Sequence, residues 1–372
     1  MIDRDRVVAL IQAFVRIPSE SSGQTATDSA GPEQALVAYL AEVCAAAGID
    51  HELQQVRPGR PNFIARFPKP GAPRVLIVGH LDTVSAAGMD APFSAEIREG
   101  RIWGRGSCDD KGPLATALGT LLQLHEQGRG LRHEVILAAT IDEECTLGGA
   151  AALKERIGQW DLCLCLEPTG LAIVKAHKGV YRCRITAQGK AVHSSAPDLG
   201  VNAILVMMEI IKELQLFEFR LTRHRNPELG KATLAVTQIK GGGSINTIPD
   251  QCEIAVDVRL LPEHHPPMVG DAIRQLVGPR GTVEDLFTAR GVQTAMDNPL
   301  IREFQERLAA HGLSVEGVTA AYATDCSELH DHGPCIIWGP GHIAEAHQVT
   351  EHIAIDQVER ACAVLAEFLA PE

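Results

Sequence analysis

Val75-Leu-Ile-Val-Gly-His80-Leu-Asp82 is an apolar run that breaks off into an imidazole and a carboxylate. Two further stretches have the same form: Val135-Ile-Leu-Ala-Ala-Thr-Ile141-Asp142-Glu143-Glu144 and Leu162-Cys-Leu-Cys-Leu166-Glu167. Each reads as a buried strand that delivers hard metal ligands at its carboxyl end. In open α/β sheets that edge binds ligands, because the loops leaving the strand ends line a crevice there. Joined by Asp109 and His347, the three runs suggest a two-metal hydrolytic site.

Around these runs, helical periodicity marks 3–15, 32–47, 112–127, 147–157, 298–312 and 354–369. Strands at 62–67, 74–79, 133–141, 161–166 and 335–338 alternate with these helices, the pattern of a mostly parallel sheet with helices on both faces. Between about 179 and 292 the order changes to strand 180–187, helix 201–216, strands 231–239 and 252–260 around Gly241-Gly-Gly243, and a helix near 268–276. That is an α+β module of the split βαβ, ferredoxin-like kind. The chain is therefore read as α/β, with one domain made of 1–178 and 293–372 and a second, 179–292, inserted in it.

The 372 residues suit about two domains, and the hydrophobic fraction of 45% is that of a globular protein. A net charge of −13, from 47 acidic against 34 basic residues, argues against nucleic acid or an anionic membrane as partner. The charged start Met1-Ile-Asp-Arg-Asp-Arg6 does not resemble a signal peptide, and no apolar run approaches a membrane span, so a soluble cytoplasmic protein is expected. The ten cysteines are scattered, many of them within apolar runs, and read as reduced buried thiols. Cys108 and Cys145 stand beside acids, which raise a thiol's pKa and disfavour a thiolate nucleophile.

His80 and Asp82 lie two apart at a strand end and so leave the same face. Asp82 reads either as the carboxylate that orients the imidazole or as a ligand itself; alone, the pair reads as a surface strand end. Asp109 and Asp110 follow Gly104-Arg-Gly106-Ser-Cys and open a helix, where one can cap while the other binds metal. Glu143 and Glu144, adjacent in an extended segment, point to opposite sides. One carboxylate can then bind metal while the other meets water and substrate as a general base. Glu167 precedes Pro168 and His347 follows the turn Gly339-Pro-Gly341. Two imidazoles with three or four carboxylates suit a dinuclear zinc site.

Gly79-His80-Leu-Asp82-Thr83-Val84, Gly104-Arg-Gly106-Ser-Cys-Asp109-Asp110-Lys111-Gly112, Asp142-Glu143-Glu144, Glu167-Pro168-Thr169 and Ala346-His347-Gln348 with Glu351 resemble, in order, the motifs of the M20 metallopeptidase and deacylase family. The resemblance covers essentially the whole chain and implies a zinc-exopeptidase-like catalytic domain with a dimerisation or lid domain. It implies metal ligands His80, Asp109, Glu144, Glu167 and His347, with Asp109 bridging two Zn2+ ions for which Co2+ or Mn2+ can substitute. Glu143 would be the general base, Asp82 the partner of His80, and the Asp109–Asp110 peptide cis. In the inserted domain, His193 would stabilise the oxyanion in a partner subunit, while Asn246 and Arg259 would hold the substrate, so a homodimer is implied. Ser85 and Asp110 depart from the family's usual proline and methionine, and neither removes a ligand.

The implied activity is hydrolysis of the amide of an N-acyl amino acid, in amino-acid metabolism. The Leu-Glu-Pro-Thr segment and the run Ala346-His-Gln-Val-Thr-Glu351 look closest to acetylornithine deacetylase. Succinyl-diaminopimelate desuccinylation and carboxypeptidase action on a dipeptide are the alternatives. A non-catalytic scaffold would have lost the base or a ligand, and here all six positions are filled.

Overall fold

The apolar runs at 75, 135 and 162 become neighbouring parallel strands, the arrangement available to segments covered on both faces. The computed structural model describes residues 2–21 and 31–371. Its first unit begins with α1 (Arg4–Arg16), α2 (Gln34–Ala46), the hairpin β1 (Asp50–Arg57) and β2 (Arg60–Phe67), β3 (Arg74–His80), and the short β4 (Glu96–Arg98) and β5 (Arg101–Trp103). Then come α3 (Lys111–Glu126), β6 (Glu134–Thr140), α4 (Gly148–Ile157), β7 (Leu162–Cys165) and β8 (Val174–His177). A second unit follows with β9 (Gly179–Gln188), β10 (Val192–His193), α5 (Ala203–Leu221), β11 (Thr233–Gly241), β12 (Thr247–Ile248), β13 (Gln251–Leu260), α6 (Pro266–Val277) and β14 (Gly281–Ala289). The first unit resumes with α7 (Pro299–Ala310), α8 (Cys326–Leu329), β15 (Cys335–Ile337), β16 (His352–Ala354) and α9 (Ile355–Leu369). The second compact unit comprises Ala176–Gln293 together with Thr319–Ala323.

The main sheet of the first unit runs β1-β2-β6-β3-β7-β15-β8. Its centre, β6, β3, β7 and β15, is parallel. The outer strands are antiparallel, β1 and β2 because a tight hairpin joins them. The sheet is thus mixed, with helices on both faces. Period-2 alternation sends Val75, Ile77, Val135, Leu137 and Leu164 into one core with Ile11 and Phe14 of α1, Leu118 of α3, Phe304 of α7 and Phe368 of α9. Leu76, Val78 and Ile136 are equally buried on the other face. Each such side chain contributes about 2 kcal/mol on burial. α1 shows how local sequence and packing agree: Asp3 caps it by accepting from the amides of Asp5 and Arg6, and Val7, Ile11, Phe14 and Val15 form its buried stripe.

In the second unit the strands are ordered β11-β13-β9-β14, all antiparallel. With α5 and α6 on one face, this is the β-α-β-β-α-β arrangement. β14 was not anticipated from the sequence. It is a half-exposed edge strand carrying Glu284 and Asp285, and a register shift between Asp285 and Phe287 breaks its alternation. The hairpin strand β1 also escaped notice, its faces being only partly buried.

None of the ten cysteines forms a disulfide, and all but Cys145 are buried. No described helix is long and apolar enough to cross a membrane.

Candidate active site

β3 ends at His80, β6 at Thr140 and β7 at Cys165, so the loops that follow emerge along one edge of the first unit's sheet. On that edge His80 Nε2 lies 3.0 Å from Asp109 Oδ1. The other oxygen of Asp109 is 3.3 Å from His347 Nε2, which in turn is 3.0 Å from Glu144 Oε1. One carboxylate therefore stands between two imidazoles. The potential ligand atoms of His80, Asp109 and Glu144 all lie within 4.8 Å of one another. Glu167 is buried, and its carboxyl feels the charges of Asp109 and Glu143. The peptide Asp109–Asp110 is cis.

Three details differ from what the sequence suggested. The ring of His80 is oriented by a main-chain group: its Nδ1–H donates to the Asp82 carbonyl at 2.9 Å, while the Asp82 carboxylate is 3.7 Å away. That carboxylate instead accepts the main-chain N–H groups of Glu143 (3.0 Å) and Glu144 (3.1 Å). Glu143 and Glu144 are not in an extended segment either, but in a turn that starts from the left-handed Asp142, φ 68°. The Asp142 carbonyl accepts from the amides of Thr146 and Leu147, and its carboxylate binds Arg57 at 2.9 Å and Arg60 at 3.2 Å. Asp110 makes no cap on α3; its carboxylate accepts the His80 amide at 3.1 Å.

Several groups with no conspicuous motif support the site. Arg60 is buried in a pair with Glu33, which steadies the Asp142 turn. Asp325, also buried, accepts from the Thr140 hydroxyl at 2.6 Å. Lys111 is buried with its ammonium on the Ile17 carbonyl at 2.7 Å. Arg60, Glu33 and Asp325 carry no signal in the sequence, and Lys111, though part of a motif, shows no role there, because each meets its partner only across the fold.

Burial and mutual repulsion raise the buried acids. The Asp82 carboxyl is pushed up to about 7 and that of Asp325 to about 6, in both cases chiefly by burial. Glu143, Glu167 and Asp110 also rise, first through burial and then through neighbouring carboxylates. Hydrogen bonds to Asp109 and Glu144 lift His347 to about 10. Burial opposes charge on His80, but Asp109 and Glu143 outweigh it and hold the imidazole well above its usual range. So many carboxylates around two imidazoles, in nitrogen and oxygen donors at ligand spacing, fit divalent cations.

The other three candidate residues belong to the second unit. His193, in β10, pairs in register with Thr247, and its Nδ1 is 2.7 Å from the Ser195 hydroxyl. The Asn246 carbonyl accepts the Ser194 amide at 2.9 Å, so His193 and Asn246 sit on adjoining loops. Arg259 lies near the far end of β13, opposite Val180, with its Nε donating to Asp257 at 2.8 Å.

Residues 76–370 match peptidase family M20/M25/M40. An acetylornithine deacetylase from Vibrio cholerae serotype O1 is 31% identical over 358 residues, covering 91% of each chain. A probable succinyl-diaminopimelate desuccinylase from Staphylococcus aureus is 28% identical over 357 residues, 86% of this chain and 88% of that one. A solved tripeptidase from S. aureus superposes with a TM-score of 0.80 at 21% identity, covering 99% of this chain and 98% of that one.

Proposed function

Because the chain belongs to peptidase family M20/M25/M40 and is a metal-dependent hydrolase of amide bonds, we propose that it removes the acyl group of an N-acyl amino acid at a dinuclear zinc centre, in the manner of acetylornithine deacetylase. The observation that carries the reading is Asp109, whose two carboxylate oxygens face His80 and His347 separately. In this reading His80, Asp109, Glu144, Glu167 and His347 would hold the ions, with the Asp109 carboxylate shared between the two. Zinc bound there supplies Lewis acidity, which makes water a better nucleophile and the acyl carbonyl a better electrophile near neutral pH.

The chain's own groups do the rest. Glu143 takes the proton of the attacking water and passes it to the departing amine nitrogen. Asp82, by binding the amides of Glu143 and Glu144, holds the base and its neighbouring ligand at a constant offset. His193 donates to the oxygen on which negative charge develops, Asn246 assists it, and Arg259 receives the substrate carboxylate.

Asn246 precedes the start of β13 and Arg259 lies near its other end, and the eight steps from Gln251 to Arg259 span about 26 Å at about 3.3 Å each. Groups so far apart do not converge on one small substrate from one subunit. This supports a homodimer in which His193 and Asn246 serve the partner's site. We place the enzyme in the cytoplasm, where thiols without disulfides persist.

The test is a hydrolysis screen of the zinc-loaded protein against N-acetylornithine, N-acetylcitrulline, N-succinyl-diaminopimelate and dipeptides, with the oligomeric state measured by light scattering. N-acetylornithine should lead the ranking. A succinylated substrate in first place would transfer the chain to the desuccinylases, and a dipeptide in first place to the peptidases. A monomer active at nanomolar concentration would exclude the role of His193 in trans.

A further inference from the structure

Glu351 closes the motif that begins at Ala346-His347. It lies four residues after His347 and is 1% exposed. One of its oxygens, Oε1, accepts two main-chain amides, those of Cys108 at 2.9 Å and Asp109 at 3.1 Å. The other oxygen, Oε2, is 2.5 Å from Nη1 of Arg105, itself 2% exposed. The same guanidinium donates through Nη2 to the Ser85 carbonyl at 3.0 Å. The main chain of Glu351 is anchored as well: its carbonyl accepts the Gly104 amide at 3.1 Å and its amide donates to Gln348 at 3.3 Å. A single buried ion pair therefore ties together the loop after His80 and Asp82, the loop that carries Asp109 and the loop that carries His347.

We propose that Glu351, held by Arg105, is a positioning residue that sets where the Asp109 carboxylate stands between His80 and His347. The inference rests on the reading of Asp109 as the bridging ligand. Asp109 and His347 lie on loops outside regular strands and helices, and His347 takes a left-handed φ of 62°. Neighbouring ladders therefore do not fix their approach. A carboxylate gripping the Asp109 amide directly does so, and it is attached to the His347 loop. Charge matters beyond shape: a neutral amide in its place would present an N–H either to the Arg105 guanidinium, losing that one contact, or to the two main-chain donors, losing both of theirs.

Glu351→Gln should weaken zinc binding, measured by competition with a chromogenic chelator, by about 10- to 100-fold, the usual effect of losing a group that orients a ligand. It should also alter the visible absorption of the cobalt-substituted protein and lower kcat with KM within about twofold. The double variant Glu351→Gln with Arg105→Gln, which restores a neutral hydrogen-bonded pair, should recover part of the zinc affinity. Asp109→Asn serves as the reference. If it loses zinc affinity while Glu351→Gln keeps the parent affinity, cobalt spectrum and kcat, the positioning role is wrong and the site stands. If Asp109→Asn also binds zinc like the parent, the reading of the site itself fails. Should Glu351→Gln not fold, Glu351→Asp, which keeps the charge and withdraws it by one methylene, is read in the same three measurements. Parent-like values in all of them would overturn the inference.

Discussion

Two residues carry the sharpest expectations. Glu143 is held through its amide, not its side chain, so Glu143→Ala removes the base without loosening the Asp82 clamp. Turnover should fall by about 10²- to 10⁴-fold, the range of general-base catalysis, while the zinc content measured by atomic absorption stays at the parent value. An equally active mutant would end the assignment. Gly112 is required for space: a Cβ there would lie 1.9 Å from the Ser107 carbonyl oxygen, in the loop that carries Asp109. Gly112→Ala should cost about 3 kcal/mol by overpacking, visible as a lowered denaturant midpoint, and should reduce activity beyond what partial unfolding explains. His80, Glu143, Glu144 and Glu167 were legible because they end apolar runs, whereas Asp109, His347 and His193 were read through the resemblance of their motifs to the family. Arg60, Thr140 and Asp325 were not, since a buried polar residue is recognised only by the partner that satisfies it.

Among elements, the longer helices were read from their period, although α5 runs on to Leu221 beyond the expected end at 216 and the short α8 had no such signal. α7 starts on Asn298, whose side chain accepts from the amides of Leu300 and Ile301 at 2.8 and 3.3 Å. Asn298→Ala should therefore destabilise the protein by about 1 kcal/mol in urea unfolding without altering KM, because α7 contributes none of the candidate site residues. The central strands were equally visible, being apolar without interruption. Edge strands such as β14 and the β1 hairpin were not, because a half-exposed strand with acids or a bulge has no clean alternation. The turn after Ile141 shows the same limit at a functional position. Adjacent glutamates suggested opposite faces of an extended chain, but a left-handed Asp142, stabilised by arginines from β1 and β2, produces the divergence instead.

For the whole molecule, the buried acids make the metal-free fold sensitive to pH. Asp82 and Glu351 have folded pKa values raised to about 7, both mainly by burial, and Asp325 to about 6, and together they outweigh buried Lys111, which is lowered to about 7 and works in the opposite sense. A raised folded pKa contributes stability below the unfolded value, near 4, and that contribution is lost as pH rises through 6 to 7. The chelator-treated protein should thus melt at a lower temperature at pH 8 than at pH 6.5. Zinc should raise the melting temperature at both pH values and narrow the gap, since cations then take the place of protons. Calorimetry showing the apo form more stable at pH 8 would contradict this account. The alternation of strands and helices, the change of pattern after about residue 179 and the identity of the acids and imidazoles are legible in the chain itself, because periodicity and residue chemistry are local properties. That Asp82 grips two amides, that a carbonyl orients His80 and that Glu351 holds the Asp109 loop from 242 residues away emerges solely from the folded chain. Those contacts depend on distances between loops, which are set by how the sheet stacks its strands and which no local pattern encodes.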